Sequence, residues 1–82
     1  MKYKMYKKNE LAKKLELLTG EDFTAAEEQA RMDGEKSLDI MTSRRFYAAV
    51  AARAYKVPLE DILELNIQEY AAITGDVGGF LL

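Results

Sequence analysis

The sequence predicts a mainly α fold: one small domain over residues 1–82, with three to four helices and a short β-hairpin as an option at its N-terminus. Three observations predict it. Residues 44–56 carry alanine at five of their thirteen positions, and alanine is the best helix former. Thr19 with Asp22, and Asn66 with Glu69, have the cap-and-acid spacing that opens a helix. Val57-Pro58 then breaks the long apolar stretch, as proline does at a helix boundary. A chain of 82 residues makes one domain. At that size only about 60% of the unfolded surface is buried, so every apolar side chain matters.

Residues 1–18 are read as an arm or hairpin and residues 19–82 as helical. Tyr3 and Met5, then Leu15 and Leu17, stand two apart with Lys or Glu between them, which is strand spacing, and Asn9-Glu10 can turn one strand into the other. The competing reading places Leu11, Leu15 and Leu18 on a helix behind an Asn9 cap. The strand reading is the preferred one. Thr19 next caps a helix, with Leu18 and Phe23 as a hydrophobic staple and Glu21 and Asp22 at the positive end of the helix dipole. Gly34 stops it. Glu35 to Thr42 form a connector or an early helical turn, with Ser37 and Ser43 both available as caps. From Arg44 to Lys56 the apolar arc is wide, with Phe46, Val50 and Ala54 on one face and Tyr47, Ala51 and Tyr55 on the next. Such a helix belongs at the centre. Pro58 suits the first position of a short amphipathic turn holding Leu59, Ile62 and Leu63. Asn66 caps the last helix, with Leu65 and Tyr70 as its staple. Gly75, Gly78 and Gly79 weaken that helix, which is expected to fray near Gly78 and leave residues 79–82 mobile or docked.

The chain has no Cys and no His, so disulfides, thiol nucleophiles and the commonest transition-metal ligand are excluded. No phosphate loop, nucleophile elbow or calcium loop accompanies the carboxylates. No catalytic constellation, metal site or cofactor site is expected, and the chain is expected not to be an enzyme. It lacks the roughly 18 consecutive apolar residues of a membrane span and an apolar signal core, so no membrane partner and a cytoplasmic location are expected.

Function is then expected to reside on surfaces. Tyr47 and Tyr55, eight residues apart, are expected to share a face of the central helix and to serve as partner-binding residues, as interface tyrosines do. The alternative is that they flank the core with their hydroxyls in water. Phe80, Leu81 and Leu82 form an apolar terminus that either docks a partner or packs back on the central helix. Charge is uneven: Lys2, Lys4, Lys7, Lys8, Lys13 and Lys14 oppose only Glu10 near the start, whereas Glu60, Asp61, Glu64, Glu69 and Asp76 meet no cation after Val57. That polarity suits either self-association or a merely solubilising lysine arm. Arg44, Arg45, Arg53 and Lys56, with the break at Val57-Pro58, loosely resemble a helix-turn-helix. The acidic second element, Leu59 to Leu65, opposes phosphate, so no nucleic-acid partner is expected.

The run Leu17-Leu18-Thr19-Gly20-Glu21-Asp22-Phe23 with Ala26-Glu27 resembles the opening of small phage tail assembly chaperones. Val57-Pro58-Leu59-Glu60-Asp61-Ile62-Leu63-Glu64-Leu65, Glu69-Tyr70, and Val77 with Phe80-Leu81 resemble that family's later motifs in order and spacing. The similarity spans residues 15–82; the Lys/Tyr opening departs from it. The resemblance implies a protein of contractile-tailed phages or prophages. It would bind the tape-measure protein in the host cytoplasm, help bring tail tube subunits to it, and be absent from the finished virion. It implies correspondence to the short form of a product that is often lengthened by frameshifting. A small prophage DNA-binding regulator and a generic dimeric adaptor are the alternatives.

Overall fold

Two leucines four residues apart decide the N-terminal segment. The computed structural model of the chain describes residues 7–82, and Lys8–Glu16 form a helix, α1. Leu11 and Leu15 are buried on one side of α1, while Leu17, two residues from Leu15, is 80% exposed. The hairpin expectation is therefore corrected over these residues. Burying a four-residue repeat against two other helices outweighs a local alternation. Asn9 lies inside α1 and Lys7 takes the cap position, with no side-chain hydrogen bond. Tyr3 and Met5 lie outside the described residues.

The second helix, α2, runs Gly20–Met32. The Thr19 backbone N–H donates to Asp22 Oδ2 at 2.9 Å, the acidic half of the expected capping pair. Leu18 and Phe23 both pack against the core, as the staple predicts. Gly34 adopts φ +108°, which only glycine takes freely. With it, the Glu35 N–H reaches the Ala30 carbonyl at 3.0 Å and the Gly34 N–H reaches that of Arg31 at 3.1 Å. This is the paired helix-ending pattern of a Schellman motif.

A 3-10 turn at Ile40–Thr42, capped by the Asp39 side chain, leads to α3, Arg44–Tyr55. Of the two candidate serines, Ser43 is the cap. Its buried hydroxyl accepts the Phe46 N–H at 3.0 Å and donates to Glu35. Ser37 instead gives Glu35 both its N–H and its hydroxyl. These donors, the Ser37 hydroxyl first and the Ser43 hydroxyl next, hold the Glu35 carboxyl down from 4.5 to about 2. The folded chain thus binds fewer protons here than the unfolded chain. This contribution to stability is complete above 4.5 and is lost as pH falls toward about 2. The melting temperature of the native sequence is expected to fall over that interval more steeply than that of Glu35→Gln. Identical slopes would remove Glu35 from the acid response.

Phe46, Val50 and five alanines of α3 are buried, and α3 touches each of the other four helices. Alanine's short side chain is what allows neighbours so close on so many sides. At its end Lys56 takes the left-handed conformation, with φ 59°, and the Val57 N–H closes on the Ala52 carbonyl at 3.0 Å. Pro58 sits at the cap of α4, Leu59–Leu63, one residue before the first helical position favoured by the sequence. Leu59 and Ile62 bury against α3.

Asn66 caps α5, Ile67–Leu81, by accepting the Glu69 N–H at 2.8 Å, and its amide donates to Glu69 Oε1 at 2.7 Å. Arg44 reaches Thr74 Oγ1 at 2.6 Å, and Tyr47 lies against Gly78. These contacts advance the same way along both helices, so α5 runs parallel to α3. The described residues thus hold five α-helices, one more than the upper end of the expected three to four, the addition being α1.

The expected fraying near Gly78 does not occur. Gly78 is buried, and a Cβ there would stand 2.9 Å from Tyr47 Cε2. Packing of an aromatic ring over the bare backbone offsets glycine's low helix propensity. Nothing lies within 4 Å of a Cβ at Gly75 or Gly79. Ala at either is expected to raise stability by about 0.5–1 kcal/mol. Gly78→Ala is expected to give no such gain, because Tyr47 must move. Urea melts of the three variants check this, and equal gains at all three would refute the Tyr47–Gly78 contact.

Candidate partner-binding surface

Because α5 stays helical to Leu81, its last residues point in different directions, about 100° apart. Leu81 turns inward and is half-buried against the core. Phe80 is 45% exposed, and Leu82, past the helix end, is 85% exposed. The apolar terminus expected to act as one unit is therefore divided between core, cleft and solvent.

Phe80 borders two clefts. One, of about 130 Å³, lies among α1, α2, α3 and α5 and is lined by Leu15, Leu18, Phe23, Val50, Phe80 and Leu81, with Thr19 and Asp22 adding polar atoms. The other, of about 290 Å³, lies between α1 and α5. Leu11, Leu15, Gly75, Gly79 and Phe80 border it, with Lys8 and Asp76 supplying opposite charges. Leu15 and Phe80 are common to both, so the half-exposed ring stands at their shared border.

The two tyrosines do not share a face. Eight residues at 100° each leave an offset of about 80°, and here that sends the rings to different neighbours. Tyr47 turns to α5, lies on Gly78 and donates its hydroxyl to the Met41 carbonyl. It is an internal strut. Tyr55 turns to α1, where the Lys14 ammonium sits 5.5 Å from its ring centroid, a cation–π distance. A shallow hollow of about 480 Å³ opens beside it, lined by Lys14, Leu17, Leu18, Asp22, Arg53, Ala54, Tyr55 and Lys56.

Asp22 joins this hollow to the Phe80 cleft, since it lines both. Its carboxylate accepts from the Thr19 N–H and from Arg53, whose Nη2 lies at 2.8 Å. Those two partners, Thr19 first, hold its pKa below the usual carboxylate value. Arg45 pairs with Asp33, and Arg44 donates to Thr74 and to the Ala71 carbonyl. All three arginines of α3 are thus hydrogen-bonded to residues in or at the end of α2 and α5.

The chain was compared with protein-family models, curated proteins and solved structures, and it matches none of them. Among the described residues no group of three acidic, His or Cys side chains is placed to hold a metal ion. No helix among them is long and apolar enough to cross a membrane. What the arrangement offers is apolar concavity with charged borders.

Leu15, Leu18, Phe23 and Val50, which form most of the cleft wall, were expected only as strand, helix-face or staple residues. The staple itself was the available signal: a pair that fixes the start of α2 also leaves apolar surface where α1 meets it.

Proposed function

We propose that the chain is a tail assembly chaperone of a contractile-tailed phage or prophage. In this reading it acts by binding, without catalysis, in the bacterial cytoplasm. It holds an amphipathic helix of the tape-measure protein, helps deliver tail tube subunits, and leaves before the virion is complete. One observation carries this. The resemblance rests on sequence segments nearly sixty residues apart, and Leu18, Thr19, Asp22 and Phe23 from the first meet Phe80 and Leu81 from the last on the walls of one cleft. An amphipathic helix enters such a site with apolar side chains at three- and four-residue spacing. The DNA-regulator alternative has less support, because the α3 arginines have internal partners and residues 57–82 contain no cation.

Co-expression with the tape-measure and tube proteins tests the proposal. The native chain is expected to co-purify with the tape-measure protein and raise its solubility. Phe80→Asp, at a half-exposed site, is expected to keep its melting temperature and weaken capture by about tenfold or more, as loss of a central aromatic anchor does. Failure of both proteins to co-purify would count against the reading. So would undiminished capture by Phe80→Asp.

A further inference from the structure

The Phe80 cleft adjoins the hollow beside Tyr55, and Leu18 and Asp22 line both. The two concavities differ in character. The cleft is apolar apart from Thr19 and Asp22. The hollow has three cations on its walls, Lys14, Arg53 and Lys56, against the one carboxylate of Asp22. That carboxylate is already engaged, because Arg53 donates to it from Nη2 at 2.8 Å and from Nε at 3.1 Å. The two lysines have no such partner. Lys14 rests over the Tyr55 ring, and neither Lys14 nor Lys56 is ion-paired among the described residues. Glu16, Glu21 and Glu60 stand close to these walls in sequence but do not line the hollow. Leu17, which does line it, is largely exposed.

We infer that the partner helix is acidic along one flank: an apolar side chain enters the Phe80 cleft, and carboxylates within about two turns of it meet Lys14 and Lys56 across the hollow. This deepens the chaperone reading and rests on it for the kind of ligand, an amphipathic helix. Charge selects the flank. Two ammonium groups without a counter-charge repel a basic segment and attract an acidic one, while the cleft supplies the apolar contact that charge alone lacks. Leu17 and the aliphatic stems of the two lysines give the flank apolar surface to cover as well. The chain as a whole has a net charge of −2, so a preference for an acidic ligand has to come from this hollow and not from the overall field. Nucleic acid fits less well, because a phosphate backbone has no apolar side chain to place in the cleft.

Two synthetic helical peptides test this on the purified full chain. They share an apolar face of leucines at three- and four-residue spacing and differ only in the flank, glutamate in one and lysine in the other. At low salt the glutamate peptide is expected to bind at least about tenfold more tightly, and the gap should close as salt screens the two lysines. Lys14→Glu/Lys56→Glu is expected to reverse the preference while leaving the melting curve in place. Phe80→Ala should weaken both peptides alike, and a short DNA duplex should displace neither. Equal affinity for the two peptides would overturn the inference. So would a glutamate preference that survives the double reversal, no binding of either peptide, or displacement by the duplex. The result is separable from the co-expression test. If the tape-measure protein co-purifies but the peptides bind alike, this inference fails and the chaperone reading stands. If the glutamate preference follows Lys14 and Lys56 while neither tail protein co-purifies, the reverse holds.

Discussion

Phe46→Ala is expected to lower the unfolding free energy by about 3–5 kcal/mol, the largest single loss available in this chain. Phe46 is the largest fully buried side chain among the described residues. Its ring meets Phe23 edge-on, with centroids 4.8 Å apart and planes at 63°, the arrangement the aromatic quadrupole prefers. Its backbone N–H is also the donor to the Ser43 cap. Removing the ring opens a void between α2 and α3, which their alanine-rich faces have no longer side chain to fill. Small domains have only about 5–15 kcal/mol in total, so the variant should be partly unfolded at ordinary temperature. The midpoint should fall by roughly 15–30 °C, given about 4–8 °C per kcal/mol at this length. Thermal and urea melts followed by helicity measure this directly. A loss under about 1 kcal/mol would mean that Phe46 is not the centre of the core.

Leu11→Ala is expected to cost about 2–5 kcal/mol, and its value lies in where the loss appears. Leu11 is fully buried, although it comes from a nine-residue helix near the start of the chain. A helix that short does not stand alone in water, so its docking against α3 and α5 is what keeps it folded. If α1 is part of the cooperative unit, the whole unfolding transition shifts and amide protection falls in every helix. A separable arm would instead lose protection only in Lys8–Glu16, with the main transition unmoved. Native-state hydrogen exchange beside a urea melt distinguishes the two.

What the chain reveals before folding is uneven, for physical reasons. The starts of α2, α3 and α5 were legible because a cap is a local event, made by residues within one turn of each other. Thr19 with Asp22, Ser43 with Phe46, and Asn66 with Glu69 all act at short range. The central place of α3 was legible too, since alanines around so much of a helix only make sense with neighbours on several sides. The state of residues 8–16 was not. Leu11 and Leu15 fit a helix, Leu15 and Leu17 fit a strand, and only a distant surface chooses between them. Gly78 misled for the same reason. Its low propensity is local, whereas the Tyr47 ring that needs the missing Cβ lies thirty-one positions earlier. The candidate site was half visible. Phe80 and Leu81 stood out as an apolar end, but the cleft they complete exists only once α1, α2 and α3 have converged. The tyrosines were misjudged because eight residues do not make a whole number of turns.

The parallel course of α3 and α5 constrains the ten or so residues that join them. The chain leaves α3 at Tyr55 and must travel back along its flank before α5 begins at Ile67. An antiparallel pair could be linked by a tight bend of almost any length, but this connection is a return ramp of fixed run. Leu59 and Ile62 fasten it to the flank as it passes. Trimming even two residues from it would pull α5 along its axis by a comparable distance. Thr74 would then slide away from Arg44 and Gly78 out from under Tyr47, and Phe80 would be withdrawn from the cleft it borders. Insertions are better accommodated at Leu38, which is fully exposed, because Gly34, Glu35 and Ser43 on either side of it are held by hydrogen bonds.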